Sequence, residues 1–335
     1  MFTFYKSQPG NWARPFFVIL RGDAAIGDGV KRYFLSQVIS RVQFGFALDF
    51  DNCGKTLFFI GQEDHLVPST SRTLLDSDLF RIVGRMIGHS FLNGGPLLTG
   101  LSPAMFGMIT GQMNETIIIE LEDCPDTDVI DIVHLLQRPN TLSDDERAKV
   151  NDLAVSWDLP RVTVENRLWL AQSLLHHAVI GRREKQMQQL KKGLKDTGVF
   201  RMVKERPSLI EVLFPRSSSL TIDAEMILEK VIWPNPDSDD EENFSLETCC
   251  RITSYFRQYI EQGTPQELKN LVEFWVGWTS LPQELYVEVS PDVRMPTAST
   301  CRETLKIPLH YSHYDEFTAD LNAAVSSNSF GFGLV

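Results

Sequence analysis

The chain has 335 residues and a formal net charge of −12, from 32 basic and 44 acidic side chains. At roughly 150 residues per domain, this length favours two domains or one large two-part unit. The hydrophobic fraction of 43% excludes global disorder. The acidic balance argues against nucleic acid as a partner, because neutralising phosphates needs a surplus of Lys and Arg.

The apolar runs and the cysteines indicate the cellular compartment of the chain. No run approaches the roughly 18 residues that a membrane-spanning helix needs, and the run 16–20 is too short for the core of a signal peptide. The cysteine count is odd and shows no C-x-x-C spacing, which argues against a disulfide framework or a structural metal site. We therefore expect free thiols in an intracellular, cytoplasmic or nuclear protein without membrane contact. The cysteines are Cys53, Cys124, Cys249, Cys250 and Cys301.

The first two thirds of the chain are mostly helical by pattern. Apolar residues at helical spacing, capping residues and first-turn prolines mark the helices. The predicted helices are 30–42, 78–92, one beginning at Pro103, 127–137, 143–155, 164–180 and 182–194. Two short apolar segments, 57–60 and 116–121, are predicted to be strands because they are too short for helices.

Two composition shifts divide the chain. The segment 215–219 is short and rich in Pro and Ser, which is typical of a hinge. The segment 234–243 carries consecutive acidic residues that repel each other, so we expect a solvated loop. Between and after these segments, the patterns predict helices at 222–232 and 246–262, a helix beginning at Thr264, strands at 285–289 and 304–307 around an irregular stretch, and a closing helix over 314–325.

The stretch 294–308 carries the best candidate for chemistry. Cys301 lies there among small polar residues and prolines, a composition that favours exposure of the thiol. Arg294, Arg302 and Lys306 are expected to place positive charge near the sulfur, which favours the reactive thiolate. An ordinary structural thiol is the alternative, since free cysteines are usually buried.

Three motifs in the last third of the chain resemble those of HECT-type ubiquitin ligases. Met-Pro-Thr-Ala-Ser-Thr-Cys at 295–301, followed by Leu-Lys-Ile-Pro at 305–308, is similar to the catalytic-cysteine loop of that family. The segment 271–282 resembles the helix that precedes the loop and its Phe-x-x-Gly-x-Ser/Thr-x-x-Pro signature. The last residues, 330–335, resemble the family's tail, with Phe332 as its characteristic phenylalanine.

Earlier segments resemble the same family in the same order. They are 22–34, 84–103 with its Gly-Gly-Pro turn, the Val-Thr-x-x-Asn-Arg element at 162–167, and 182–213. The resemblance runs from about residue 16 to residue 335. Within the family, the chain is most similar to the subgroup of the G2/M-phase-specific ubiquitin ligase.

The resemblance implies an architecture. It is a bilobal α+β HECT domain with a larger, mainly helical N-lobe at 1–214 and a smaller α/β C-lobe at 220–335. The segment 215–219 would be the flexible hinge between them. A subdomain at about 122–195 would bind the donor enzyme, which is a ubiquitin-conjugating enzyme.

The resemblance also implies an activity. Cys301 would accept ubiquitin from the conjugating enzyme as a thioester and pass it to a lysine of a protein substrate. Thr300 would shape the loop, and Phe332 would seat the tail during transfer. No metal or organic cofactor is implied. The residues implied to contact the donor enzyme are Ile132, Leu135, Leu136, Leu168, Trp169 and Leu170.

Two other functions are open on the sequence. Ser299 replaces a histidine that is typical of the family, Arg302 replaces an apolar residue, and the segment 138–161 is short. A HECT-like binding or scaffold module that forms no thioester is therefore an alternative. His310 and His313 follow the cysteine closely enough to suggest a thiol hydrolase. His176 and His177 are adjacent on a predicted helix and point in different directions, which argues against a shared metal.

Overall fold

The computed structural model describes residues 1–7, 10–19, 27–47, 55–234, 245–278 and 281–327. The helices of these parts are α1 Phe2–Lys6, α2 Asp28–Phe44, α3 Arg72–Asp76, α4 Leu79–Leu92, α5 Pro103–Thr110, α6 Thr127–Gln137, α7 Asp144–Ser156, α8 Arg167–Val179, α9 Glu184–Thr197, α10 Val199–Glu205, α11 Leu209–Leu213, α12 Ala224–Leu228, α13 Leu246–Gln262, α14 Pro265–Val276 and α15 Tyr314–Ser327. The strands are β1 Phe46–Ala47, β2 Lys55–Thr56, β3 Phe59–Ile60, β4 Val67–Pro68, β5 Val231–Ile232, β6 Leu285–Ser290, β7 Thr297–Ser299 and β8 Thr304–Pro308. This mixture of helices and strands agrees with the predicted α+β class.

The described residues fall into two compact units. Unit 1 comprises Met1–Ala13, Ile39–Asn93 and Leu97–Ser219. Unit 2 comprises the described residues of Arg14–Val38, Gly94–Pro96 and Leu220–Val335. The predicted lobe and hinge boundaries stay predictions.

In unit 1, helices α4 and α9 pack unusually closely because glycines face each other. A Cβ on Gly84 would overlap the Leu190 carbonyl oxygen, and a Cβ on Gly193 would overlap the Arg81 carbonyl oxygen. Only glycine allows two helix backbones to approach this far without a clash. The two helices therefore pack backbone against backbone.

Charged groups lock the same two helices. Arg81 and Arg85 on α4 both donate to the Asp196 carboxylate, at 2.8 and 2.7 Å. Burial opposes ionisation of Asp196, but these hydrogen bonds outweigh it and lower the pKa of its carboxyl group. Arg85 also donates to the Tyr5 carbonyl at 2.7 Å, which holds α1 on this part of unit 1.

Unit 2 is built on a four-stranded sheet in the order β5-β6-β8-β7. The β5–β6 and β6–β8 pairs are parallel, whereas β7 is antiparallel to β8. Aromatic side chains of α13, α14 and α15 meet in its core. The rings of Phe256 and Trp275 are 5.4 Å apart, and those of Tyr311 and Phe317 are 5.5 Å apart.

Most predicted helices are confirmed, because local signals define their ends. The helices predicted at 127–137 and 246–262 have the observed bounds of α6 and α13. Ser143 caps α7 and Thr264 caps α14, each with the capping box that the sequence indicated. The helix predicted over 182–194 is α9, which begins at Glu184 after a single 3₁₀ turn at Gly181–Arg183.

Three predicted elements differ from the structure. The strand predicted at 116–121 is wrong: the chain forms 3₁₀ turns at Asn114–Thr116 and Leu121–Asp123, and no described strand pairs with the residues between them. The helix predicted at 222–232 ends at Leu228, because β5 pairs with β6. The strand predicted at 57–60 is limited to Phe59–Ile60.

A further helix begins later than predicted, and one strand was missed. Helix α8 starts at Arg167 rather than 164, because Thr163 and Asn166 hydrogen-bond each other's backbone N–H and form a turn before the helix. The stretch expected to be irregular before 304 contains β7. The acidic segment lies outside the described residues from 235 to 243. In the described parts of the chain, no helix is long and apolar enough to cross a membrane.

Replacing Thr264 with alanine tests the capping box of α14. The Thr264 hydroxyl accepts from Glu267 N–H, and the Glu267 carboxylate accepts from Thr264 N–H at 2.8 Å. Loss of the cap is expected to reduce the free energy of unfolding by about 1 kcal/mol, measured by urea denaturation. Gln266→Ala, an exposed position in the first turn, is the matched control. Equal stability of the Thr264 variant and this control would contradict the assignment.

Candidate functional site

Cys301 lies in the turn 300–303, which joins β7 to β8. Ser299 and Thr304 are paired across the two strands, and Arg302 N–H donates to the Ser299 carbonyl at 3.0 Å. Cys301 itself is exposed. The turn therefore presents the thiol to solvent on a hydrogen-bonded backbone, as a nucleophile for a large partner requires.

Glu303 fixes the end of this turn. Its φ of +54° lies in the left-handed region, which costs a non-glycine residue about 1 kcal/mol or more. Its carbonyl accepts from Trp275 Nε1 and from Tyr286 N–H, both at 2.9 Å. Because Trp275 is fully buried, the aromatic core of unit 2 holds the turn directly.

The first turn of helix α2, also in unit 2, contacts the cysteine. Gly29 N–H donates to Cys301 Sγ at 3.1 Å. A Cβ on Gly29 would lie 2.9 Å from the sulfur and would overlap the Thr300 hydroxyl oxygen. The first N–H groups of a helix have no acceptor within the helix and carry partial positive charge, so this position stabilises negative charge on an acceptor.

Arg32, one helical turn after Gly29, holds the same turn. Its Nη1 donates to the Thr300 carbonyl at 2.9 Å, and its Nη2 lies 2.7 Å from Glu303 Oε1. Its guanidinium group also lies over the Trp278 ring, 5.1 Å from the centroid. One side chain therefore binds the turn by hydrogen bond and by ion pair, and its stacking on Trp278 holds the guanidinium in place.

The structure adds a cation that the sequence did not suggest. Lys306 pairs with Glu288 at 2.8 Å, and Arg294 and Arg302 are exposed. The cation that contacts the turn is Arg32, which the sequence reasoning missed together with Gly29 and Glu303. A weak signal was present, because residues three apart on a helix share a face and Gly29 and Arg32 have that spacing.

Thr300 occupies the position that its predicted loop-shaping role requires, although that role stays a prediction. Its side chain is buried between glycines: a Cβ on Gly277 would lie 3.6 Å from Thr300 Cβ. Its carbonyl is the acceptor for Arg32. Phe332, the other residue assigned to transfer, lies outside the described residues.

The remaining described cysteines have different surroundings. Cys124 and Cys249 are buried, and burial raises the pKa of the Cys124 thiol. Cys250 is exposed, but it lies within helix α13 and not in a turn. Cys53 lies outside the described residues. Among the described cysteines, Cys301 is the exposed one that sits in a turn.

The described histidines do not hydrogen-bond the cysteine. The His310 ring lies against that of Tyr311, with the centroids 4.2 Å apart and the planes tilted by 41°. His176 contacts the Asn114 carbonyl at 3.1 Å, whereas the His177 ring faces Trp157. No group of metal-binding side chains is found among the described residues.

The six residues implied to contact a donor enzyme lie on α6 and α8 of unit 1. Leu168 and Trp169 are exposed at 65% and 51%, and Leu135 is partly exposed. Ile132, Leu136 and Leu170 are buried. We call the exposed and partly exposed members, namely Leu135, Leu168 and Trp169, the α8 apolar surface.

Arg167 at the start of α8 hydrogen-bonds the end of α6. Its guanidinium donates to the Leu136 carbonyl at 2.6 Å and to the Leu135 carbonyl at 2.7 Å. These carbonyls belong to the last turn of α6, where a helix leaves its acceptors unpaired and favours positive charge. The start of α8, which carries Leu168 and Trp169, is thereby fixed to the end of α6.

Two comparisons with known proteins bear on this chain. Residues 49–335 match the family described as HECT-domain (ubiquitin-transferase). A stretch of 103 residues is 28% identical to E3 ubiquitin-protein ligase hyd from Drosophila melanogaster. The stretch covers 28% of this chain and 4% of that relative, so the chain corresponds to a small part of it.

A pair of identical substitutions tests the placement of the α8 leucines. Leu170→Ala is expected to reduce the free energy of unfolding by about 3 kcal/mol, because it leaves a cavity at a fully buried position. Leu168→Ala should change it by less than about 1 kcal/mol, since that side chain is already exposed. Urea denaturation of both variants is the measurement. Similar losses at the two positions would contradict the burial described here.

Proposed function

Because the chain belongs to the HECT-domain (ubiquitin-transferase) family, we propose that it is a ubiquitin ligase that forms a thioester with ubiquitin on Cys301. The observation that carries the proposal is the exposed Cys301 thiol. It lies in a fixed turn, and its Sγ accepts from Gly29 N–H at 3.1 Å. The family match supports the reaction class, and the geometry supports the choice of this cysteine.

The proposed chemistry has two steps. In the first, the Cys301 thiolate attacks the carbonyl carbon of the thioester that links ubiquitin to the conjugating enzyme. A new C–S bond forms, and the conjugating enzyme's sulfur leaves and takes up a proton, so one thioester replaces another. In the second, a substrate lysine amine attacks the new thioester, an amide forms, and the Cys301 sulfur leaves as a thiolate while the amine loses its proton to solvent.

The protein's main contribution in this scheme is orientation. Thioester exchange is close to thermoneutral, so placing the two sulfurs correctly can account for several kcal/mol of the barrier. The α8 apolar surface is the proposed docking site for the conjugating enzyme. Its support is the exposure of Leu168 and Trp169 on a helix that Arg167 fixes, since apolar anchors on rigid elements hold such partners.

The bilobal arrangement and its hinge are part of the proposal. Within unit 1, the Pro215 carbonyl accepts from Gly100 N–H at 3.0 Å, and Ser217 N–H donates to the Asp64 carboxylate at 2.6 Å. These contacts fix the beginning of the predicted hinge 215–219, so we place its pivot after Ser217. The seating of the tail by Phe332, the placement in the G2/M-phase-specific subgroup and an intracellular location rest on the sequence alone.

The competing function is a HECT-like binding module that takes up no ubiquitin. Ser299 and Arg302, which replace residues typical of the family, are the reason to retain it. The two functions share one fold, so only the covalent step separates them. A thiol hydrolase has less support, because no described histidine hydrogen-bonds Cys301.

Replacing Cys301 with serine tests the proposed function. Wild-type chain mixed with ubiquitin-loaded conjugating enzymes should form a ubiquitin adduct that thiol reductants remove. Cys301→Ser should form an adduct that resists reductants, because an oxyester is not exchanged by thiols. Denaturing gels with and without reductant, confirmed by peptide mass spectrometry, are the measurement.

Cys250→Ser is the matched control, since Cys250 is also exposed. It should keep the adduct of the wild type. Absence of any adduct on Cys301, across a broad panel of loaded conjugating enzymes, would contradict the ligase and favour the binding module. Cleavage of a ubiquitin conjugate without any donor enzyme would instead favour the hydrolase.

A further inference from the structure

The first turn of α2 and the turn 300–303 form a closely fitted pair within unit 2. Two glycines allow the fit: Gly27, just before α2, has a φ of +111°, and its Cβ position is 3.5 Å from Cys301 Sγ. The Cβ position of Gly29 is closer still, at 2.9 Å from the sulfur. Any other side chain at Gly29 would displace the cysteine turn.

The contacts of Arg32 are more than general packing. Two of its interactions reach the turn, at the Thr300 carbonyl and the Glu303 carboxylate, and a third places its guanidinium over the Trp278 ring. Both members of the Arg32–Glu303 pair are largely shielded, with side-chain exposures of 18% and 23%. A charge pair with little solvent is screened less than an exposed one, so its loss has a larger effect.

The sulfur itself gains one defined donor from this arrangement. Gly29 N–H is a hydrogen-bond donor that the helix does not use, and it points to Cys301 Sγ. A backbone N–H at a helix N-terminus stabilises a thiolate more than a neutral thiol. Gly29 and Arg32 both contact the cysteine turn, so each acts through it.

We propose that the first turn of α2 is a cradle for the reactive cysteine, in which Gly29 N–H bonds the sulfur and Arg32 holds the backbone of the turn. Gly29 and Arg32 are then positioning residues for the thiol. This inference rests on the proposed function in assigning the thiol to ubiquitin transfer. The cradle itself makes a claim about thiol reactivity that needs no ubiquitin.

The test measures how fast iodoacetamide alkylates Cys301 in the full chain at neutral pH. Trypsin releases Cys301 in the peptide 295–302, so mass spectrometry follows it separately from the other cysteines. Exposed Cys250 in the same molecule is the internal reference. The readout is the ratio of the two alkylation rates.

Gly29→Ala and Arg32→Ala should each lower this ratio by roughly fivefold, because the sulfur loses its donor or the turn loses its support. Arg32→Lys should restore part of the loss, since lysine keeps the charge but not the paired donors. Alanine is the better helix former, so a fall in the ratio of Gly29→Ala without a fall in melting temperature separates positioning from unfolding.

Two variants serve as matched controls. Gly10→Ala replaces a glycine with nothing within 4 Å of its Cβ position. Arg257→Ala removes an arginine that also lies over a tryptophan ring, Trp233, but on α13. Both should leave the ratio within a factor of about two of the wild type.

Glu303→Gln, which keeps the shape of the side chain, should lower the ratio and covers the case in which Arg32→Ala does not fold.

The outcomes separate the cradle from the ligase. An unchanged ratio in Gly29→Ala and in Glu303→Gln would overturn the cradle, whatever the ubiquitin assay gives. A lowered ratio in these variants, with matching slower formation of the ubiquitin thioester, supports both claims. A lowered ratio in a chain that forms no thioester at all supports the cradle and rejects the proposed function.

Discussion

A cysteine that reacts with protein-sized partners must be exposed, while its backbone must stay in place. In this chain the Glu303 carbonyl reconciles the two requirements. It accepts from the indole N–H of buried Trp275 and from the backbone N–H of Tyr286, which joins the turn to the core and to the sheet of unit 2. The left-handed backbone of Glu303 then allows the chain to enter β8 directly after the turn.

The same residue links the core to the cradle. While its carbonyl is bound by the core, its carboxylate pairs with Arg32, and Arg32 holds the Thr300 carbonyl on the other side of Cys301. Both ends of the turn are therefore fixed, and the thiol between them is free to meet a partner. Orientation of this kind suits a reaction whose chemical driving force is small.

The sequence predicted what local signals determine. The capping box at Thr264 and the apolar face of α13 depend on residues within one or two turns, so the start of α14 and both ends of α13 were predicted correctly. Elements that depend on a distant partner were not predicted correctly. Strand β5 ended a predicted helix because it pairs with β6, and the apolar segment at 116–121 found no strand to pair with among the described residues.

The site shows the same division. Cys301 and Thr300 were identified from a motif in one short stretch, whereas Arg32 reaches the Thr300 carbonyl from 268 residues away in sequence. Lys306 was expected to lie near the sulfur because it is close to Cys301 in sequence, but its ammonium group pairs with the Glu288 carboxylate on the neighbouring strand. Only the folded chain shows which positive charge holds the turn.

The Cys301 sulfur lies on the first turn of α2 as the acceptor of the Gly29 N–H. The most direct measurement is the amide resonance of Gly29 in ¹⁵N-labelled chain, compared between wild type and Cys301→Ala. This resonance is expected to move more than that of any other amide outside the turn 300–303. A Gly29 resonance that stays in place when the sulfur is removed would contradict it.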